Sequence, residues 1–174
     1  MFSPAKFSVA ALASLGVAAF AANSLADQSK IENEKIDYDG FAELVDDVSA
    51  IREKRLIDLE TFLKFAADED TLVLDARSAE AFAAGHIDGA VNLSFSDFTQ
   101  EKLDKLIGDK SKRILIYCNN NFADDEEPVP LKRVELALNI PTFVNLHGYG
   151  FTNVYELEES VFMDDPRIDF VQPE

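Results

Sequence analysis

The sequence has very little cysteine, histidine and basic charge, and each shortage excludes a class of protein. Cys118 is the only cysteine, so no disulfide can form within the chain. The two histidines, His86 and His147, have no cysteine or carboxylate at a recognised ligand spacing, so we predict no metal and no cofactor. With 16 basic against 33 acidic residues, the chain is a poor partner for nucleic acid or an anionic membrane surface.

The strongest apolar run lies at the N-terminus and is typical of an export signal. Lys6 precedes the run from Phe7 to Ala22, and residues 24–26 offer small side chains for cleavage after Ala26. A membrane anchor is the competing interpretation, but the run is short, rich in alanine and followed by polar residues. We therefore expect a periplasmic or secreted bacterial protein, with no membrane insertion after the signal is cleaved.

The chain that follows the signal suits one domain. Residues 27–174 number 148, which is enough for a single core. Residues 1–26 contain one lysine and no acids, so 15 basic residues then face 33 acidic ones. We predict a flexible leader at 27–38 and one domain at 39–174, with its core at about 55–157.

Hydrophobic patterning predicts an α/β fold. Helices are predicted at 39–54, at 59–66 behind Asp58 as a cap, at 79–84, at 99–107, from Pro130 to a stop at Pro141, and as a further turn at 142–147. Strands are predicted at 56–57, 71–75, 90–93, 113–117 and 154–157. The runs 71–75 and 113–117 are apolar without alternation, as expected of parallel strands covered on both faces. The tail from Glu158 onward is acidic and is predicted to be irregular.

Cys118 follows the predicted strand 113–117 directly. Ligand crevices of open α/β sheets form at this edge, because loops there meet helix N-termini with unpaired N–H groups. A lone cysteine is either a buried, inert core residue or an exposed, reactive thiol, and this position favours the second interpretation.

Three motifs give the chain a specific resemblance. They are Leu74-Asp75-Ala76-Arg77, then Gly85-His86-Ile87-Asp88-Gly89-Ala90-Val91-Asn92, then Ile116-Tyr117-Cys118. In order and spacing they resemble the rhodanese family, over roughly Arg55 to Leu157. The resemblance implies a small, open, mainly parallel five-stranded sheet flanked by helices, here preceded by a signal peptide and an extra N-terminal helix.

The resemblance also implies a chemistry for Cys118. In the family, a thiolate takes the outer sulfur from a donor such as thiosulfate or polysulfide and yields it to a second nucleophile. Loop N–H groups and a helix N-terminus point at the sulfur. Carried over, this makes Cys118 the catalytic residue and the loop residues its anion cradle, namely Asn119, Asn120, Asn121 and Phe122.

The loop after Cys118 departs from the family pattern. It is long and contains four acids at 124–127, with no basic residue before Lys132 and Arg133. Carboxylates near the sulfur would disfavour the thiolate and repel thiosulfate, each by about 1 kcal/mol at an effective dielectric constant of ~20. The acids could instead bulge into solvent or bind calcium, and Lys132 and Arg133 could then face the crevice and bind an anion.

The other motif residues favour a structural role. Asp75 and Arg77 lie where a predicted strand ends, and an ion pair or hydrogen bonds to loop carbonyls would fix the chain there. Gly89 permits the positive φ of a turn, and His86 beside it is more typical of a hydrogen-bonded turn histidine than of a general base. A phosphatase of related fold would need arginine where the chain has Asp124.

Two functions remain open from the sequence. One is a sulfurtransferase that carries a persulfide on Cys118 and takes its sulfur from a small sulfur-containing anion. The other is a non-catalytic module of the cell envelope that binds a partner protein or senses oxidation through Cys118.

Overall fold

The computed structural model describes residues 35–124 and 127–172. The chain divides into two units, Met1–Asp37 and Tyr38–Glu174. The predicted signal peptide and nearly all of the predicted leader lie outside the described residues, so the fold concerns the second unit. None of the helices in the described ranges is long and apolar enough to cross a membrane.

Strands in the described part of the chain form two sheets. They are β1 (Leu56–Ile57), β2 (Thr71–Asp75), β3 (His86–Ile87), β4 (Val91–Asn92), β5 (Arg113–Tyr117), β6 (Val154–Leu157) and β7 (Phe170–Val171). Five of them form a parallel sheet in the order β1-β6-β5-β2-β4, and β3 pairs with β7 in antiparallel fashion. The predicted five-stranded, mainly parallel sheet is confirmed.

Helices connect these strands, and the helix after β1 begins at the predicted cap, Asp58. They are α1 (Tyr38–Arg52), α2 (Leu59–Ala66), α3 (Ala79–Ala84), α4 (Gln100–Ile107) and α5 (Asn139–Gly148). The side chains of Asp58, Ser78 and Thr99 each accept a backbone N–H two or three residues into the helix that follows. Such caps satisfy donors that have no partner within the helix.

The sheet is covered on both faces, as its apolar strands require. On one face, Leu74 of β2 and Ile116 of β5 pack against buried side chains of α1, α4 and α5. On the other face, Val73 and Leu115 pack against α2 and the C-terminal segment. The core therefore fixes β2 and β5 in the interior of the sheet, and their carboxyl ends lie side by side.

Two predictions about the second half of the chain are wrong. No helix runs from Pro130 to Pro141: residues 130–133 are irregular, a short 3-10 helix follows at Val134–Leu136, and α5 begins only at Asn139. Pro141 lies in the first turn of α5, where a missing N–H breaks no helical hydrogen bond. The tail is also not wholly irregular, since β7 pairs with β3.

Candidate active site

Strand β5 places Cys118 at the carboxyl edge of the sheet. The strand lies between β2 and β6, and Cys118 then leaves it in an extended conformation to cap a 3-10 helix at Asn119–Asn121. The residue is only 1% exposed to solvent. Cys118 nevertheless lines a cavity beside the sheet, and reagents would reach it through that cavity.

Main-chain N–H groups from two segments surround the sulfur. The Asn120 N–H donates to Cys118 Sγ at 3.3 Å. The N–H groups of Asn120, Leu138 and Asn139 all lower the pKa of the thiol, but burial has the larger effect and leaves the pKa above its ordinary value. Leu138 and Asn139 form the start of α5, so the positive end of that helix faces the sulfur.

The predicted anion cradle is only partly as expected. Phe122 does not belong to it: its N–H donates to the Asn119 carbonyl at 3.0 Å, and its ring is buried with an edge against Tyr117. The Asn121 N–H donates to the Cys118 carbonyl at 3.0 Å and takes part in a capping box with the Cys118 side chain. The 3-10 helix therefore uses the Phe122 N–H for its own hydrogen bond. The helix that adds donors at the sulfur is α5, which begins at Asn139 and not at Pro130.

Asparagine side chains hold the cysteine loop to its surroundings. The Asn119 amide donates to the Pro130 carbonyl at 2.8 Å. The Asn120 amide exchanges two hydrogen bonds with the backbone of Lys132, at 2.8 and 3.1 Å. Asn121 accepts the Cys118 N–H at 2.9 Å. The loop is therefore fixed by neutral amides bonded to main-chain groups.

The cavity beside Cys118 has a volume of about 500 Å³. Among the described residues, its wall is mainly apolar and includes Phe95, Pro128, Pro130, Leu138 and several alanines. Its charged lining residues are Arg77, Glu80, Glu127 and Lys132.

The two predicted anion-binding residues differ in position. Lys132 lines the cavity together with Cys118. Arg133 is not among the lining residues, and its exposed guanidinium lies 3.6 Å from Glu135. Of the two, the structure therefore brings only Lys132 to the cysteine.

Asp75 and Arg77 form a buried ion pair beside the cavity. Their side chains are 0% and 4% exposed, with 2.6 Å between Asp75 Oδ2 and Arg77 Nη2. Arg77 also donates to the Gly85 carbonyl at 2.6 Å and to Asn119 at 3.3 Å, and the Tyr117 hydroxyl donates to Asp75 at 2.8 Å. The ion pair and the bond to a loop carbonyl are the contacts expected from the sequence, and a structural role for Asp75 and Arg77 stays a prediction.

The glycine-histidine turn has a structural geometry as well. His86 Nδ1 lies 2.8 Å from the Phe82 carbonyl oxygen, and the two rings stack with centroids 3.8 Å apart. Gly89 has a φ of 76°, in the left-handed region that favours glycine. Gly85 allows a close approach, since a Cβ there would lie 2.6 Å from the Phe170 ring.

Sequence reasoning missed a group of polar residues behind the loop, of which Asn139 and Glu156 are buried. Arg52, Asn139 and Glu156 join in one hydrogen-bonded chain that reaches Asn121. Glu156 carried a signal, because it is an acid inside a strand pattern that is otherwise apolar or aromatic. Arg52 carried none, since it lies far from the motifs along the chain.

With this geometry, the chain belongs to the rhodanese-like domain family. The family model described as "Rhodanese-like domain" matches residues 58–162. This range contains Cys118, Asp75 and Arg77 but not α1. Among curated proteins, no sequence matches the chain.

Solved structures with a similar fold come from several bacteria. Protein hp1203 of Helicobacter pylori is 25% identical, over 70% of this chain and 92% of that one, with a TM-score of 0.45. Protein BH2092 of Bacillus halodurans is 22% identical, over 64% and 72%, with a TM-score of 0.44. A rhodanese with anions from E. coli is 19% identical, over 59% and 99%, with a TM-score of 0.40.

Proposed function

We propose that this protein is an exported sulfurtransferase that accepts a sulfane sulfur on Cys118 and passes it to a second nucleophile. One observation carries the proposal. Cys118 lines a cavity of about 500 Å³, and its sulfur faces main-chain N–H groups of Asn120, Leu138 and Asn139. Such donors stabilise negative charge on sulfur, in a thiolate or in a persulfide.

The reaction needs no external oxidant or cofactor. The Cys118 thiolate forms a bond to the outer sulfur of the donor, and the bond from that sulfur to the rest of the donor breaks. The donor remnant leaves with the electron pair, as a thiolate or a shorter polysulfide. An acceptor nucleophile then bonds to the same sulfur, and Cys118 leaves as thiolate.

The cavity charges support polysulfide or an organic persulfide as the donor. Lys132 offers one positive charge, whereas Glu80 and Glu127 add two negative ones, and Arg77 is engaged by Asp75. A compact dianion such as thiosulfate would be repelled more strongly than a donor whose charge is smaller or more dispersed.

A second function is favoured by the burial of Cys118. Burial raises the pKa of the thiol, which keeps most of it protonated and weakly nucleophilic at neutral pH. In this alternative the protein binds an envelope partner or senses oxidation. The exposed apolar side chains of Leu131, Val134 and Leu136, next to the cysteine loop, would then contact the partner.

Mass spectrometry after incubation with polysulfide or thiosulfate separates the two functions. We expect a gain of one sulfur from polysulfide, reversed by cyanide with release of thiocyanate and absent in Cys118→Ser. If neither donor adds sulfur while iodoacetamide still modifies Cys118, the binding or sensing module is the better account. Fractionation of the bacterial cell with N-terminal sequencing tests export, for which we expect cleavage after Ala26.

A further inference from the structure

A chain of polar side chains links α1 to the cysteine loop. Arg52 Nε and Nη2 donate to the two carboxylate oxygens of Glu156, both at 2.7 Å. Asn139 Nδ2 donates to Glu156 Oε1 at 3.2 Å and to Asn121 Oδ1 at 3.0 Å. Asn121 Oδ1 also accepts the Cys118 N–H. Four hydrogen-bonded steps therefore connect a guanidinium on α1 to the cysteine backbone.

Glu156 is the charged centre of this chain. It lies on β6 beside β5, and its side chain is only 5% exposed. The groups that surround it are Arg52 from α1, Asn139 from α5 and the Cys118 thiol at the end of β5, while Glu158 acts on Arg52 from outside. A buried carboxylate is stable only when such partners offset the loss of water.

Glu156 and α5 act on the sulfur in opposite directions. Burial raises the pKa of the Cys118 thiol most; the N–H groups of Asn139 and Leu138 lower it, and the negative charge of Glu156 adds a smaller rise. Arg52 offsets that negative charge through a bidentate contact. Through Asn139, the same contact also holds the first residue of α5, whose N–H faces the sulfur.

We infer that Arg52 is a positioning residue for Cys118. Arg52 neutralises Glu156 and fixes the start of α5, so that the thiol can ionise. Arg52 precedes the family-matched range 58–162, so α1 adds a control element to the common domain. The inference rests on the proposed function only in taking Cys118 as the nucleophile.

The test is the rate of Cys118 alkylation by iodoacetamide as a function of pH, followed by mass spectrometry. In the wild type we expect a midpoint above that of a free thiol, because burial raises the pKa. Arg52→Met should move the midpoint up by about half to one unit, which slows alkylation at pH 7 about threefold to tenfold. Arg52→Lys should restore part of the rate.

Glu156→Gln should move the midpoint down, because it removes the negative charge and keeps an acceptor for Asn139. In the Glu156→Gln background, Arg52→Met should shift the midpoint less than in the wild type. Arg167→Met is the matched control, since Arg167 makes a similar bidentate contact with Asp165 that does not reach Cys118. It should leave the pH profile unchanged.

Two results would overturn the inference. One is an unchanged profile in folded Arg52→Met, and the other is an equal shift in both backgrounds. If Arg52→Met does not fold, the test uses Glu156→Gln and Arg52→Lys instead. Alkylation of Glu156→Gln that is no faster than that of the wild type would then overturn the inference. Alkylation needs no sulfur donor, so a protein that shows these shifts but never gains sulfur would contradict the proposed function and leave this inference intact.

Discussion

The neighbouring strands β2 and β5 end side by side, but the chain is held in different ways at the two ends. At the end of β2, Asp75 and Arg77 are charged, buried and paired with each other. After β5, the loop Asn119–Asn121 carries no charge and is held by amide hydrogen bonds to main-chain groups. The charged side chains at the end of β2 therefore hold the backbone that follows the strand in place. Next to the sulfur, the loop itself supplies only main-chain dipoles, and the charges that act there belong to side chains outside it, among them Glu156 and Lys132.

Breaking the charged end should have the largest effect on stability. Arg77→Met leaves the fully buried Asp75 without its counter-charge and the Gly85 carbonyl without its donor. We expect a loss of about 3–5 kcal/mol in the free energy of unfolding, measured by urea denaturation. Lys102→Met, which removes an exposed pair with Asp97, should cost less than about 1 kcal/mol. Equal losses would show that burial does not distinguish the two pairs.

Breaking the neutral end should have a smaller effect. Asn121→Ala removes the acceptor of the buried Cys118 N–H and the donor to the Leu157 carbonyl at 2.7 Å. The expected loss is about 1–3 kcal/mol, the cost of leaving buried polar groups unpaired. Asn153→Ala, whose amide binds an exposed loop carbonyl, is the control and should cost less. A loss as large as that of Arg77→Met would remove the contrast between the two strand ends.

The smallest effect should come from the cavity charge, and it should appear in kinetics rather than in stability. Lys132→Ala removes the ammonium that lines the cavity. We expect kcat/KM with polysulfide to fall by up to about fivefold, equivalent to about 1 kcal/mol for one exposed charge. Arg133→Ala keeps Lys132 and should leave kcat/KM unchanged. A greater loss in Arg133→Ala would mean that the anion approaches by another route.

Local sequence patterns predicted the elements that depend only on residues close together in the chain. The unbroken apolar runs of β2 and β5 could be satisfied only between two layers, and they lie inside the sheet with helices on both faces. Asp58 caps α2 as predicted, because a cap depends on neighbours within one turn. The predicted helix from Pro130 is wrong because most of its apolar side is not buried. Leu138 packs against the core, but Leu131 is 42% and Val134 76% exposed.

The sequence by itself determined the family, the parallel sheet and the position of Cys118 at its edge, because apolar runs and short motifs encode these locally. Only the tertiary structure decided which donors meet the sulfur and which charges stand behind it. The start of α5 lies about twenty residues after Cys118 in the chain, and Arg52 lies far before it. Hydrogen bonds and burial depend on distances across the fold, and no local pattern contains that information.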